Sequence, residues 1–350
     1  MQRKRRITAT MCLAMLATLA TTRTTHAVVE WELTDDPVSL GMSGVSPHVE
    51  KTASGDRVWR SDGPSGTVVS ICTEAGVCTA ETFSTGTSGP INDVSIAQSP
   101  SGMRAYFVRV DPNTNLKAVY SAPCNDANCL SLGTATLTST SMQVSMNAKA
   151  WGVPDPVRLA DGRIRIYIVE SPVDGRCTEK VASYTSADGI SFTRDAGWRL
   201  EGGYVDTEML RAKDGEWLMI MADGPGCATA SGALKVQQLF VSTSTDGLIW
   251  ATPQLLTSTD NGRLDPTGYF VESQNAFRIY YASGRSAENN YTIKRATLRI
   301  KDTAKGGGVG ITTTPKVTTP SSKSKTITCV KGKITRKVIG TKCPAGFKKK

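Results

Sequence analysis

The chain has 350 residues, of which 39% are hydrophobic, 21% charged and 6% aromatic, the balance of a folded protein with a sizeable core rather than of a disordered or repeatedly membrane-spanning one. Its net charge of +10 is unevenly spread: residues 1–27 hold five basic side chains, 305–350 hold twelve with no acid, and 28–304 hold 24 basic against 31 acidic. An acidic body argues against nucleic acid as a partner, and with only His26 and His48 in the chain a multi-histidine metal site is excluded.

Arg3, Lys4, Arg5 and Arg6 precede an apolar stretch over 7–20, and Thr25-His26-Ala27 has the small-x-small pattern of a cleavage site before Val28. Residues 1–27 are therefore expected to be a secretory signal peptide. A membrane anchor would need roughly 18 or more uninterrupted apolar residues, and threonines break this run. The expected product is secreted, with no transmembrane span after signal removal. Loss of Cys12 with the leader leaves eight cysteines, an even number suited to an oxidising compartment. Their spacing suggests Cys72 with Cys78, Cys124 with Cys129 and Cys329 with Cys343, leaving Cys177 for Cys227. No Cys-x-x-Cys occurs, so a zinc ribbon or thioredoxin-type redox site is not expected.

From residue 46 onward one pattern recurs five times: a polar or acidic start, a short strand-like run, a turn, and a β-rich run with aromatics. The copies run from Ser46 to Arg60, Asn92 to Val108, Pro154 to Ile168, Val205 to Ile220 and Leu264 to Tyr281. Ser-Pro-Ser-Gly, Ala-Asp-Gly and Lys-Asp-Gly fit hairpin turns. A second hairpin follows in the first four copies. Two of these turns carry the Cys72/Cys78 and Cys124/Cys129 brackets, and two read Ser-x-Asp-Gly-x-x-aromatic, at Ser186 to Phe192 and Ser244 to Trp250. In the latter the aspartate can accept its own turn's amides while the aromatic packs beneath. Four strands per copy at spacings near 50 residues predict an all-β chain, a five-bladed β-propeller over 28–304. The fifth copy has only three clear strands, so Val28 to Leu33 is expected to supply its outer strand and close the ring. The competing architecture is an irregular sandwich. Residues 305–325, rich in Gly, Thr, Ser and Pro, read as a flexible linker, and 326–350 as a small basic module bracketed by two cysteines.

In a propeller the innermost strands begin at one mouth of the channel. That places His48 and Glu50, Asp93, Asp155, Asp206 with Glu208, and Asp265 around one opening. Glu170, Asp223, Tyr281 and Arg285 follow second strands and should border it, and Trp151 could stack on a sugar. Crowded carboxylates raise one another's pKa values, which suits the acid and carboxylate pair that glycoside hydrolysis needs. Asp93, Asp155, Asp206 and Glu208 are the candidate catalytic groups. The other reading of each aspartate is structural: it caps a turn or bonds a neighbouring blade's backbone.

Val153-Pro154-Asp155-Pro156-Val157-Arg158-Leu159-Ala160-Asp161-Gly162-Arg163 resembles the blades of five-bladed propeller glycosidases, the arabinanase/xylosidase group and its invertase and levansucrase relatives. The Ser186 to Phe192 and Ser244 to Trp250 turns resemble degenerate Asp-box turns of sialidase-like propellers. The arabinanase-like pattern implies an aspartate base in the first blade, an assisting aspartate in the second and a glutamate acid in the third. This chain offers His48 and Glu50, then Asp93, then Asp155 without a matching glutamate, with Glu208 in the fourth. The stretch from Cys329-Val330-Lys331-Gly332-Lys333 to Cys343-Pro344-Ala345-Gly346 resembles a basic module at the ends of secreted actinobacterial proteins, implying attachment to an anionic cell envelope. The expected function is that of a secreted glycoside-hydrolase-like propeller acting on carbohydrate; the alternative is a non-catalytic cell-surface propeller that binds a glycan or protein. No cofactor is expected, and a structural calcium ion is left open.

Overall fold

A computed structural model of the chain describes residues 29–111, 113–142, 144–145, 153–171, 177–211, 215–224, 236–258, 261–284, 290–301, 326–331, 334–339 and 348–349. The leader, the whole of the expected linker over 305–325, Trp151, Arg285, Cys227 and Cys343 lie outside these. The first unit ends at Lys301 and is a five-bladed propeller. The chain enters with β1 (Trp31–Asp35). Blade 1 is β2 (Val45–Lys51), β3 (Asp56–Ser61), β4 (Thr67–Cys72) and β5 (Cys78–Glu81). Blade 2 is β6 (Asn92–Ser99), β7 (Gly102–Val110) and β8 (Leu116–Pro123), with β9 (Thr136–Leu137) and β10 (Val144–Ser145) both paired to β8. Blade 3 is β11 (Asp155–Arg158), β12 (Ile164–Glu170) and β13 (Lys180–Ser186), with β14 (Thr193–Arg194) and β15 (Leu200–Glu201) on β13. Blade 4 is β16 (Tyr204–Arg211), β17 (Trp217–Asp223), β18 (Leu239–Ser244) and β19 (Gln254–Leu255). Blade 5 is β20 (Arg263–Val271), β21 (Ala276–Ser283) and β22 (Thr292–Ile300), and β1 completes it. The second unit contains β23 (Thr326–Lys331), β24 (Ile334–Ile339) and β25 (Lys348–Lys349) in one antiparallel sheet.

The expected closure is found. β1 runs antiparallel to β22, with Trp31 opposite Ile300 and Asp35 opposite Ala296. An edge that could template pairing with another chain is thereby covered. Each blade presents both faces to neighbours, so its second strand is buried on both sides: all seven residues of Trp217–Asp223 are buried, as are six of the seven of Ile164–Glu170. That is why these strands read as dense apolar runs rather than as alternation. The core is divided into slabs, one between each pair of blades. Trp59 and Phe107 lie in the slab of blades 1 and 2, Tyr106 and Ile166 in that of blades 2 and 3, and Tyr167 and Trp217 in that of blades 3 and 4. Leu218 and Phe277 join blades 4 and 5, and Val58 and Tyr280 join blades 5 and 1.

Two of these interfaces are latched by the repeated Ser-x-Asp-Gly turns. In blade 3 the Ser186 hydroxyl accepts from Gly189 N (2.8 Å) while Asp188 Oδ1 accepts from the amides of Ile190 (2.7 Å) and Ser191 (2.8 Å). Blade 4 repeats this with Ser244, Gly247, Asp246, Leu248 and Ile249. The freed glycine carbonyl then takes a hydroxyl from the blade before: Tyr106 donates to Gly189 O (2.8 Å) and Tyr167 to Gly247 O (2.7 Å). The closing aromatics pack edge-on against the same tyrosines, Phe192 on Tyr106 and Trp250 on Tyr167. Gly247 has φ +70°, and a Cβ there would lie 2.7 Å from the Tyr167 hydroxyl, so the turn needs glycine for both backbone and space.

Both short disulfides form, Cys72 to Cys78 and Cys124 to Cys129. The first closes a loop that helps clasp blade 1 to blade 5: Arg278 bonds the Glu74 carboxylate, and Arg295 donates to Glu74 O (2.7 Å) while pairing with Asp36 (2.8 Å). Cys177 is also disulfide-bonded; its expected partner, Cys227, and the Cys343 of the last expected pair lie outside the described residues.

Tyr167→Phe is expected to lower stability by about 1 kcal/mol in denaturant unfolding, the worth of one neutral hydrogen bond. Removal of residues 29–35 is expected to expose β22 and cause concentration-dependent association, measurable by light scattering.

Candidate active site in the channel

The innermost strands start where the second strands end: Val45 faces Ser61, Asn92 faces Val108, Tyr204 faces Asp223 and Arg263 faces Ser283. Just inside this mouth, four of the five carry a bulge. The register slips between Val45 and His48, Asn92 and Ser95, Val205 and Glu208, and Leu264 and Thr267. At the bulge Ser46, Asp93, Asp206 and Asp265 adopt φ values of 48°, 53°, 54° and 48°, a left-handed conformation that aspartate tolerates better than most residues. Blade 3 is regular, and Val153 stands where the others have these polar residues.

The bulges set two tiers of side chains. Ser46, Asp93, Asp206 and Asp265 form the tier nearer the mouth. His48, Ser95, Asp155, Glu208 and Thr267 form the deeper one, paired in register with Trp59, Tyr106, Tyr167, Ile220 and Tyr280. The channel edge of an innermost strand has no further strand to bond, so its N–H groups must find other acceptors. The deeper tier supplies them, each blade serving the next. His48 Nε2 accepts from Ile96 N (3.1 Å), Asp155 Oδ2 from Met209 N (2.6 Å), Glu208 Oε1 from Gly268 N (3.4 Å) and Thr267 Oγ1 from Val49 N (3.4 Å). Each donor is the residue just after the next blade's own deeper-tier residue. At the remaining junction, from blade 2 to blade 3, that place is held by Pro156, which has no N–H. The mouth tier follows a similar course: Asp265 Oδ2 accepts from Ser46 N (2.8 Å), and Asp93 N donates to Ser61 Oγ (3.0 Å).

The carboxyl groups also meet one another. Asp155 and Glu208 are hydrogen-bonded side chain to side chain, as are Asp206 and Asp265. Thr267 Oγ1 donates to Glu208 Oε1 at 2.8 Å. Burial pushes Asp155 up to about 7 and Asp265 up to about 6, the charge of Asp93 adding to the latter. Glu208 and Asp206 are raised well above the carboxylate range, first by burial and then by the charge of Asp155 and Asp265 respectively. Two carboxyls in contact cannot both ionise cheaply, so each pair is built to share a proton. Asp93 is raised by burial too, while Ser46, Lys117 and Ser61 favour its ionised form. Lys117 lines a cavity of about 170 Å³ with Asn92, Val108 and Arg109 on blade 2. Burial lowers His48 to about 4. With Nε2 accepting a bond, its proton sits on Nδ1, so it is a neutral imidazole.

Asp93, Asp155, Asp206, Glu208, Asp265 and His48 are thus brought together as the sequence led us to expect. Others are placed differently. Glu50 stands opposite Arg57, one pair from the β2–β3 turn and far from the mouth. Glu170 accepts the Tyr184 hydroxyl and pairs with Arg194, both on outer strands of blade 3. The Tyr281 hydroxyl donates to Asp35 Oδ1 (2.7 Å) on the outermost strand of blade 5. Asp223 Oδ1 accepts from Gln238 N (2.6 Å) within blade 4. Trp151 and Arg285 lie outside the described residues. Sequence reasoning missed Ser46, Ser95 and Thr267, which hold ring positions without acids; the clue was their spacing before the aromatic of the next strand. Among the described residues no group of three His, Cys, Asp or Glu side chains is arranged to hold a metal ion, and no helix is long and apolar enough to cross a membrane.

No family model and no curated protein matches the sequence. Solved structures do match in fold. A thermostable family-43 glycoside hydrolase aligns with TM-score 0.57 and 11% identity over 81% of this chain and 99% of its own. A β-1,3-galactosidase of glycoside hydrolase family 43, solved with galactodeoxynojirimycin, aligns with TM-score 0.54 and 8% identity over 77% of this chain and 96% of its own. An N-acetylgalactosamine deacetylase from F. plautii, in complex with blood group B trisaccharide, gives 0.52 and 11% over 78% and 95%. At these identities the likeness establishes the five-bladed fold.

Carboxyls with raised native pKa values bind more protons folded than unfolded. Their contribution is complete below about pH 4 and is lost as pH rises through 6 to 7. Thermal stability should therefore fall from pH 5 to pH 8. Asp155→Asn, which keeps an acceptor for Met209 N and offers Glu208 a permanent donor, should flatten that decline in a series of melting curves.

Proposed function

We propose that this is a glycoside-hydrolase-like propeller acting on carbohydrate, with the Asp155 and Glu208 pair as its acid. The observation that carries this reading is the hydrogen-bonded contact between these two buried carboxyls in the channel, with Asp155 raised to about 7. Hydrolysis of a glycosidic bond needs one carboxylic acid that is still protonated near neutral pH and one carboxylate that is not. The shared proton fits the first role. Asp93 is assigned the second: burial raises its pKa, and Ser46, Lys117 and Ser61 work against that rise in favour of the charged form. Asp206 and Asp265 form a second proton-sharing pair beside it and are assigned to orienting the sugar. The fold neighbours, whose printed activities are on glycans, are consistent with this assignment.

A second reading has a specific observation in its favour. Asp155, Glu208 and Asp265 each already accept a neighbouring blade's N–H, and blade 1 offers Ser46 and a neutral His48 where blades 4 and 5 offer acids. A propeller that binds a glycan or protein without cleaving anything needs no more than this. We further read the protein as secreted, with residues 1–27 as its signal, 305–325 as a linker and the basic 326–350 as a segment for an anionic envelope. The disulfides support export.

Sugar release by the full chain from arabinan, xylan, β-1,3-galactan and sialylated glycans tests the choice. Glu208→Gln is expected to reduce release at least about a hundredfold, the usual worth of a general acid, and the parent's rate should fall as pH rises through about 7 with the ionisation of the pair. Binding without release in the parent would select the second reading.

A further inference from the structure

Many cationic side chains of the propeller face an acid: Arg57 pairs with Glu81, Arg165 with Asp195, Arg278 with Glu74 and Arg295 with Asp36. At the mouth end of blade 2, Arg109 near the end of β7 and Lys117 near the start of β8 form no salt bridge among the described residues. Both are half-buried, and both line a cavity of about 170 Å³, far above the roughly 10–15 Å³ that holds one water. Ser88 and Pro90, on the segment entering blade 2, share the lining with Asn92 and Val108. The cavity opens to solvent, since Ser88 and Pro90 are exposed. Arg109 is held in place by its own contacts: the guanidinium lies over the Tyr120 ring, 5.0 Å from its centre, and Nη2 donates to Ser88 O (3.5 Å). Lys117 stands opposite Val110 in register. The cavity also adjoins the channel carboxyls, because Asn92 precedes Asp93 and Lys117 is near enough for its charge to act on Asp93.

Residues 28–304 carry 24 basic against 31 acidic side chains, so an acid to pair with either cation was there to be used. Two half-buried cations left without one, at the wall of an open cavity beside the channel, are arranged for an anion that the protein does not itself supply. We propose that the cavity receives the carboxylate of an acidic sugar in the carbohydrate ligand, a uronic or a sialic acid, paired with Lys117 and held in the field of Arg109. The inference rests on the carbohydrate reading above and adds the substrate class and the residue that selects it. With its charged sugar anchored at blade 2, the same glycan chain reaches the mouth of the channel at Asp93.

Calorimetric titration of the full chain with oligogalacturonides, sialyl-oligosaccharides, the methyl esters of both, and neutral arabinan, xylan and β-1,3-galactan oligosaccharides tests the assignment. The preferred acid is expected to bind at least about tenfold more tightly than its uncharged ester, the worth of one charge-assisted hydrogen bond. Part of that margin should disappear as added salt screens the pair. Whether the uronide or the sialoside shows it identifies the source of the carboxylate. Lys117→Met should bring acid and ester to equal affinity while Lys117→Arg keeps the preference, and melting curves report whether each variant is folded. A lysine that served only Asp93 would alter acid and ester alike, so a margin unchanged in Lys117→Met overturns the proposal. Should that variant not fold, Arg109→Gln takes its place: a narrowed margin supports the proposal and an unchanged one overturns it. Equal binding of acid and ester by the parent overturns this inference and leaves the carbohydrate reading standing; a parent that binds none of these glycans removes both.

Discussion

A single kind of hydrogen bond organises this molecule: a side chain of one innermost strand accepting the N–H of the next. Sheets in general leave their edge amides to solvent or to another chain, and a ring of five sheets turns five such edges toward one narrow channel. The amides there must be bonded, and the blades do it for one another with His48, Asp155, Glu208 and Thr267. The bulges and left-handed residues at the mouth follow from this requirement, because they aim Asp265 at Ser46 N and Asp206 at Asp265. The apolar slabs hold the blades face to face, but these bonds set the register in which they meet.

The same bonds explain why carboxyl groups are buried at all. An isolated ionised acid in such a channel would cost far more than a neutral acceptor. The arrangement avoids that cost by placing acids side by side so that one proton serves two, as at Asp155 with Glu208 and Asp206 with Asp265. On the proposed reading, a proton held in this way is the one a leaving group would take. Structural acceptor and acid catalyst are therefore compatible descriptions of one side chain, and an oxygen engaged with a backbone amide leaves the other oxygen of the carboxyl for its neighbour.

Much of the fold was legible because each blade repeats local patterns: a start, a hairpin turn, an aromatic second strand. The two Ser-x-Asp-Gly turns were read down to their hydrogen bonds, since those lie within six residues of sequence. The convergence of Asp93, Asp155, Asp206, Glu208 and Asp265 was also legible, being a consequence of strand direction. What could not be read was reach. Glu170, Tyr281 and Glu50 were placed by strand order, but their side chains turn to Arg194, Asp35 and the neighbourhood of Arg57, partners set by packing between strands far apart in sequence. The roles of Ser46, Ser95 and Thr267 were hidden for the same reason. A serine looks ordinary until the amide it serves, or the proline that denies it one, is known to face it.

The closing strand has a consequence for how the protein is made. β1 is among the first parts of the propeller to be synthesised, yet its partner is β22, with Trp31 facing Ile300. Blades 1 to 4 are built from neighbouring hairpins and can form as the chain lengthens, whereas blade 5 joins the two ends and is a contact of very high sequence separation. Ring closure is then the last step and the slowest to find. Until it happens the molecule carries two unsatisfied strand edges, and whatever holds residues 31–35 elsewhere during that interval holds the whole ring open.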